Sequence, residues 1–346
     1  MTGLVGLGCR PKRSDGRLIV LKRSAQKHMM ITRRCSAYKK APRNAQPDPW
    51  KDPIMTPIHS ILAATDFSTG SLAAVERAAQ LAQTHGASLR LLHAFDVSAW
   101  HSLRGVFDAL RLTVEPPPDV RVKQQLTDLA ATLAARTGCD VQARFSIGDP
   151  ETAINAFATA HTPSLIVLGS RAEPAQLGLG STVSKVLRAP VCPVLVVRWT
   201  NSQPYDKVLS AVDMRQGSVW AAQTAISLFP ASHHYWLHAF SQHLSALASS
   251  SHTDGQTKQI LDSVQAQATQ DLSQLAQSMS GLGAHPVASA VAIGVPDRSI
   301  VAKAAELPAD CVVVGHHGDS AAAQNPLGSM AQHMLHHTLR DVLVVP

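Results

Sequence analysis

Cys311-Val-Val-Val-Gly315-His-His-Gly318 is followed, after nine residues, by Gly328-Ser329 and then by a run of helical character to Leu339. An apolar, β-branched run that ends in glycines and re-enters a helix predicts the order strand, loop, helix. This order is typical of a phosphate site, because glycine leaves the backbone amides accessible and a helix N-terminus favours negative charge. The stretch therefore predicts a parallel α/β fold with an anion site at the end of a strand.

The same glycines also have a purely structural interpretation. Gly315 and Gly318 would then only turn a loop, and Ser329 would only cap the helix that follows. Glycine-rich turns are common, so the local pattern leaves both interpretations open.

The wider pattern resembles the nucleotide motif of the universal stress protein (UspA-like) family. That motif is GxxG, nine residues, then Gly-Ser, and it is matched without a gap by Gly315, Gly318, Gly328 and Ser329. The family also has an aspartate at the end of the domain's first strand, and Asp213 stands at that place in Val208-Leu-Ser-Ala-Val-Asp213. The resemblance implies a Rossmann-like fold of the adenine nucleotide alpha hydrolase type.

Apolar strands alternate with amphipathic helices from Ile58 onward. This alternation predicts a parallel sheet covered by helices on both faces. The predicted elements of the first unit are strands 60–66, 88–95, 141–146, 165–168 and 194–197 and helices 71–84, 122–136, 150–161 and 181–187.

Three segments then recur in the same order, which predicts a duplication. They recur at offsets of 145, 146 and 148 residues: Leu92-His-Ala-Phe95 as Leu237-His-Ala-Phe240, Gly148-Asp-Pro150 as Gly294-Val-Pro296, and Val194–Val197 as Val342–Val345. We expect two tandem, doubly wound domains with five-stranded parallel sheets, at 56–199 and 205–346. The resemblance covers both, so it implies a tandem two-domain member of the family.

The two glycine loops are not equivalent. In the first, Gly169-Ser-Arg-Ala172 lacks the second glycine, only seven residues precede Gly180-Ser181, and Glu173 adds a negative charge. We therefore expect the second domain to hold the nucleotide. Weaker candidates in the first domain are Asp66, Gly169, Gly180 and Ser181.

The second loop carries His316, His317 and Asp319 where nucleotide-binding relatives often have arginine. Neutral imidazoles can donate one hydrogen bond each and become cationic near their usual pKa of about 6.5. This predicts that nucleotide binding strengthens as the pH falls.

The resemblance also implies a role for each matching residue. Backbone amides around the three glycines of the second loop, with the Ser329 hydroxyl, would hold phosphates. Asp213 would accept hydrogen bonds from the ribose or adenine end, and the backbone near Ala239 would form the adenine wall. The implied ligand is ATP, with Mg²⁺ accompanying it, and no separate metal site is expected.

Three functions remain open on these residues. The first is a regulatory ATP-binding module in a stress response. The second is an interaction scaffold of the same family that has lost nucleotide, and the third is a slow ATP hydrolase. No general base or pair of carboxylates stands at motif spacing, so binding is better supported than turnover.

Most of the positive charge lies in the first 51 residues, which hold thirteen Lys and Arg against two Asp. With few long apolar side chains, residues 1–55 are expected to be a disordered tail. A targeting segment, contact with nucleic acid or anionic lipid, and a true start at Met55 are alternatives. We expect no specific nucleic-acid partner, and no membrane partner because no apolar run reaches about eighteen residues.

The cysteines and histidines suggest core positions rather than chemistry. Five cysteines without a CxxC pair fit a reducing cytoplasm. Cys192 and Cys311 are expected in the core, and His93 and His238 as hydrogen-bonded core or rim residues. His333, His336 and His337 are expected on a polar helix face rather than around a metal.

The last strand of each domain is expected to pair with the other across a two-fold axis, which would relieve an exposed sheet edge. In this family, such pairing commonly joins two domains. The segments concerned are Val194–Val197 and Val342–Val345. We expect an internal pseudo-dimer, and dimerisation with a second copy is left open.

Overall fold

The computed structural model describes residues 57–95, 117–170, 179–198, 203–240, 255–316 and 327–346. All of these residues belong to one unit, Pro53–Pro346. The tail predicted at residues 1–55 lies outside the described ranges. No helix within those ranges carries an apolar stretch of membrane-spanning length.

The described part of the first half, residues 57–198, alternates strands and helices. Its elements are β1 Ser60–Ala64, α1 Thr69–His85, β2 Ser88–Phe95, α2 Pro118–Thr137, β3 Val141–Ile147, α3 Pro150–His161, β4 Leu165–Gly169, α4 Ser181–Val186 and β5 Val194–Val197. All nine elements predicted for this half are present, and their ends differ from the prediction by four residues at most.

The described part of the second half, residues 203–346, repeats this order. Its elements are β6 Lys207–Ala211, α5 Gln216–Leu228, β7 His233–Phe240, α6 Gly255–Met279, β8 Ala288–Ile293, α7 Pro296–Glu306, β9 Cys311–Gly315, α8 Ser329–His337 and β10 Asp341–Val345. The duplication inferred from sequence is therefore also a duplication of structure.

Local sequence explains where these helices begin and end. Helix α3 starts with Pro150, which needs no amide partner there, and Asp149 caps it by accepting from the Thr152 amide at 3.1 Å. Gly86 closes α1 in the left-handed region, with φ of 62°.

Each half is a doubly wound parallel sheet. The strand orders are β3-β2-β1-β4-β5 and β10-β9-β6-β7-β8. Alternate strand residues face opposite layers: Ile61 and Ala63 pack with α1 and α2, whereas Leu62 packs with α3 and α4. The buried, β-branched strands thus have helices on both faces, and the predicted fold class is confirmed.

The two halves share one ten-stranded sheet. Strands β5 and β10 pair antiparallel, with Val194 opposite Val344 and Val196 opposite Val342. This is the one antiparallel pairing among the described strands. The expected pairing of the last strands, and with it the internal pseudo-dimer, is confirmed.

A buried carboxylate lies at this seam. Asp341 is 1% exposed and accepts hydrogen bonds from the Arg198 amide at 2.6 Å and from the Tyr205 hydroxyl. Burial, together with the charge of Asp341, raises the pKa of Tyr205 well above its usual value. The Arg77 guanidinium of the first half lies 4.0 Å from the Tyr205 ring centre. Asp341 is therefore bonded to both halves, through the Arg198 amide of the first and the Tyr205 hydroxyl of the second.

Replacing Asp341 with alanine should lower the free energy of unfolding by roughly 2 to 4 kcal/mol, because the Tyr205 hydroxyl and the Arg198 amide would remain buried without their acceptor. Urea unfolding of the full chain measures this change. Asp128→Ala, on the exposed side of α2, is the control and should change stability far less. Similar losses in both variants would contradict this role of Asp341.

Candidate functional site

A cavity of about 300 Å³ opens at the carboxyl ends of β6, β7 and β9. Strand β6 lies between the other two. The connection after β6 leads to β7, whereas the connection after β9 leads to β10, so these neighbouring strands are left in opposite directions along the sheet. Such a switch point is where open parallel sheets bind ligands. The cavity therefore stands at the place where this fold class accommodates a ligand.

Three of the predicted site residues line this cavity. Asp213 follows β6, Ala239 is near the end of β7 and Gly315 ends β9. Met330 also lines it, beside the predicted Gly328 and Ser329 at the start of α8. Topology thus brings together residues that lie about a hundred positions apart. The remaining predicted residue of this loop, Gly318, lies outside the described residues.

The Asp213 carboxylate is held by its own turn. Its Oδ1 accepts from the Ser218 hydroxyl at 2.5 Å and from the Arg215 amide at 3.1 Å, and Oδ2 lies 3.6 Å from the Arg215 guanidinium. Its side chain remains 45% exposed. Met214 within the turn has φ of 60°, which is unfavourable for a bulky residue and costs about 1 to 3 kcal/mol. The turn gives the carboxylate a set orientation beside the cavity.

The first half contains the same turn around Asp66. Asp66 Oδ1 accepts from the Ser68 hydroxyl at 2.5 Å and from the Ser68 amide at 3.0 Å, and Phe67 has φ of 63°. Burial would raise the pKa of Asp66, but hydrogen bonds from Ser68 and Ser71 outweigh it, so the pKa is lowered. The first half has therefore kept an ionised aspartate in the same geometry.

Sequence reasoning overlooked two parts of this arrangement. Asp-x-x-x-Gly-Ser occurs as Asp66 to Ser71 and again as Asp213 to Ser218, at the offset of the duplication. Arg215, a cationic residue of the cavity wall, was also missed. The family pattern places its arginine in the glycine loop, whereas Arg215 follows the first strand of the second half. The recurring hexapeptide is the signal that would have located both.

Gly169 has a packing role. A Cβ at this position would lie 2.3 Å from the Gly70 carbonyl oxygen and 2.6 Å from the Ser71 nitrogen, so β4 and the start of α1 approach through glycine. The other candidates of the first half lie at the start of α4: Gly180 is its N-cap and Ser181 its first residue. The intervening residues 171–178 are outside the described ranges.

The expected cap of α8 is wrong. Gly328, rather than Ser329, occupies the N-cap position, with extended φ and ψ of −53° and 145°, and no side chain caps this helix among the described residues. Ser329 is already the first helical residue. Its hydroxyl therefore does not serve as the helix cap, and the purely capping interpretation is excluded.

The His316 ring is bonded within the protein. His316 is 3% exposed, and its ring Nε2 lies 2.7 Å from the Leu187 carbonyl oxygen of the first half. Because a carbonyl only accepts, this contact uses the proton on Nε2. The Nε2 proton is therefore engaged with the first half, and the pH dependence of nucleotide binding stays a prediction. His317 and Asp319 lie outside the described residues.

The other histidines and the cysteines occupy structural positions. His93 and His238 bond through Nδ1 to the carbonyls of Thr65 and Val212, each at 2.8 Å, as expected for core or rim residues. His333 Nδ1 lies 3.1 Å from the Asp297 carboxylate. The described residues contain no group of three or more side chains suited to a metal ion.

Burial also accounts for the thiols. It raises the pKa of Cys192 to about 12 and that of Cys311 well above the usual range. Both thiols are protonated at neutral pH. Cys311 lies in the core as expected, whereas Cys192 is half-buried and packs against the core.

The chain is similar to known proteins along both halves. The model of the Universal stress protein family matches residues 57–198 and 204–346. Over 146 residues, 40% of this chain, it is 32% identical to universal stress protein YxiE of Bacillus subtilis (strain 168), with 99% of that protein covered.

Two solved structures share the fold across both halves. A universal stress protein from Archaeoglobus fulgidus DSM 4304 has a TM-score of 0.57 at 18% identity, covering 83% of this chain and 97% of its own. A functionally unknown protein from Pseudomonas aeruginosa PAO1 has a TM-score of 0.55 at 21% identity, covering 85% and 94%. At such low identities, the likeness concerns the fold.

The packing role of Gly169 can be tested by replacing it with alanine. The new methyl group would meet backbone atoms of Gly70, so the free energy of unfolding should fall by roughly 1 to 3 kcal/mol. Gly281→Ala is the matched control, since a Cβ there has nothing within 4 Å. Chemical denaturation measures the free energy of unfolding of both variants. Equal values would mean that the close approach of β4 and α1 does not require glycine at position 169.

Proposed function

The chain belongs to the universal stress protein family, and we propose that it acts as a regulatory module that binds ATP, accompanied by Mg²⁺, in its second half. We take its two domains as residues 56–199 and 205–346. The observation that carries the proposal is the cavity at the β6–β9 switch point, lined by Asp213, Ala239 and Gly315.

The chemistry of the cavity suits a nucleoside. Its volume of about 300 Å³ is at the lower end of the range for small-molecule sites, so we assign it to the adenine and ribose. The oriented Asp213 carboxylate would accept hydrogen bonds from ribose hydroxyls or the adenine amino group. Leu237, Val314 and Ile300 supply the apolar wall that a purine ring requires.

The phosphates are assigned to the glycine loop and the start of α8. Amides of the first turn have no partner within the helix, and the helix dipole favours negative charge there. Gly328 permits close approach, and the Ser329 hydroxyl, which does not cap the helix, would donate to a phosphate oxygen. Gly318 would complete the set according to the family motif.

The preference for the second half comes from the loops. The first half keeps the aspartate turn and Gly169, but its loop has Ala172 in place of the second glycine and is two residues shorter. A shorter loop offers fewer amides around a phosphate, and Glu173 would repel it. Asp66, Gly169, Gly180 and Ser181 therefore remain weaker candidates.

We also propose a cytoplasmic location, supported by cysteine usage, and leave a dimer of two chains to measurement. The other functions are outcomes of experiment. A chain that binds no nucleotide would be an interaction scaffold, and steady phosphate release dependent on Asp213 would identify a slow hydrolase.

The proposal is tested by thermal unfolding of the full chain with increasing Mg-ATP. Ligand at a hundred times its Kd adds about 2.7 kcal/mol, which corresponds to a rise in Tm of roughly 5 to 10 °C. Asp213→Asn removes a negative acceptor and should weaken binding roughly 10- to 150-fold, since one hydrogen bond to a charged group is worth about 1.5 to 3 kcal/mol.

The matched control is Asp66→Asn, which makes the same change in the same turn of the first half. It should leave the Mg-ATP shift intact. Loss of the shift in Asp66→Asn alone would place the nucleotide in the first half instead. Wild-type protein without any shift would overturn the proposed ATP binding.

A further inference from the structure

The segment from His316 to the last turn of α8 is bonded to the first half near both of its ends. The His316 ring bonds to the Leu187 carbonyl at 2.7 Å, and the Arg198 guanidinium donates to the Leu335 carbonyl. His316 directly follows Gly315 of the cavity, and Leu335 lies in the last turn of α8. Contacts from the first half therefore reach both sides of the Gly328-Ser329 segment.

The two contacts are reciprocal. Leu187 is the C-cap of α4 and Leu335 lies in the last turn of α8. They are 148 residues apart, which is the offset of the duplication at this point, so they occupy equivalent positions. Each half thus supplies a side chain that donates a hydrogen bond to a carbonyl at the end of a helix in the other half, α4 or α8. Orphan carbonyls at helix ends need such partners when they are buried.

His316 is well placed to transmit this contact. Its amide donates to the Val345 carbonyl at 2.7 Å, and its own carbonyl accepts from the Gly328 amide at 2.9 Å. A residue held at its ring and at both backbone groups has little freedom. The position of Gly328, and hence of the first turn of α8, follows from it.

The first half differs at this position. Ser170 is its equivalent there, 5% exposed, with its amide bonded to the Val197 carbonyl at 2.9 Å. A serine side chain is too short to replace the imidazole. The ring contact is therefore a property of the second half, where the candidate cavity lies.

We propose that His316 is a positioning residue through which the first half holds the start of α8, so that nucleotide affinity in the second half depends on the pairing of the two halves. The affinity part of this statement rests on the proposed function. The first half then has a role without binding nucleotide itself. Because linkage is reciprocal, ligand in the second half would in turn strengthen the pairing.

Hydrogen exchange of the full chain without ligand tests the positioning directly. His316→Leu removes the donor while keeping an apolar side chain, and His316→Gln retains an amide donor. In the leucine variant, the amides of Gly328 and Gln332, which bond to the His316 and Gly328 carbonyls, should exchange at least tenfold faster than in wild type, and glutamine should restore most of the protection. His316→Phe, which also lacks a donor and keeps a planar ring, repeats the test if the leucine variant does not fold.

The chain contains a matched control for this bond. His85 Nε2 lies 2.9 Å from the Leu228 carbonyl, which also joins the two halves, but in the helix layer on the other face of the sheet. His85→Leu should lower stability while leaving exchange at Gly328 and Gln332 unchanged. Wild-type exchange in His316→Leu, or equal acceleration in His85→Leu, would overturn the positioning role.

Titration with Mg-ATP then tests the consequence for binding. His316→Leu should raise the Kd at least fivefold, His316→Gln less than twofold, and His85→Leu should leave it unchanged. Unchanged affinity in His316→Leu would overturn the coupling. If wild-type protein binds no Mg-ATP, the proposed function and the coupling to nucleotide both fail, whereas the exchange experiment still decides whether His316 positions α8.

Discussion

The antiparallel pairing of β5 with β10 is the constraint on which the rest of the structure depends. Each half taken alone would end in a strand with unpaired amides and carbonyls, and pairing removes that exposed edge. The seam also buries Asp341, whose partners come from Arg198 and Tyr205. Leaving a carboxylate in such a place without partners is costly, so the seam favours this one arrangement of the halves.

The candidate cavity is coupled to that seam by adjacency in the sheet. Strand β9 lies between β10 and β6. Strand β10 forms the seam, and strand β6 is followed by Asp213. His316 follows β9 immediately and bonds across to Leu187. The geometry of the nucleotide candidate and the association of the halves therefore share the same few residues.

The halves have diverged in their loops rather than in their frameworks. Both keep an aspartate turn with a strained second residue, Phe67 or Met214. Both also have a glycine, Gly70 or Gly217, as the second residue of the helix that follows. Strain of this kind persists where surrounding contacts maintain it. The first half has retained the geometry, while its loop has lost a glycine and two residues, which is why we assign the ligand to the second half.

Local patterns in the sequence were sufficient for the fold, the duplication and the strand ends where Asp213 and Gly315 lie. Such patterns work because the period of apolar residues reports which faces are buried, and glycine reports where the backbone must turn or approach closely. They did not reveal the partner of His316, which lies 129 residues away, or the carboxylate buried at position 341. Nor did they reveal that the N-cap of α8 is Gly328 and that Ser329 is its first helical residue. These were decided only by the tertiary structure, because periodicity shows that a surface is covered, whereas the packing of the two halves determines which atoms cover it.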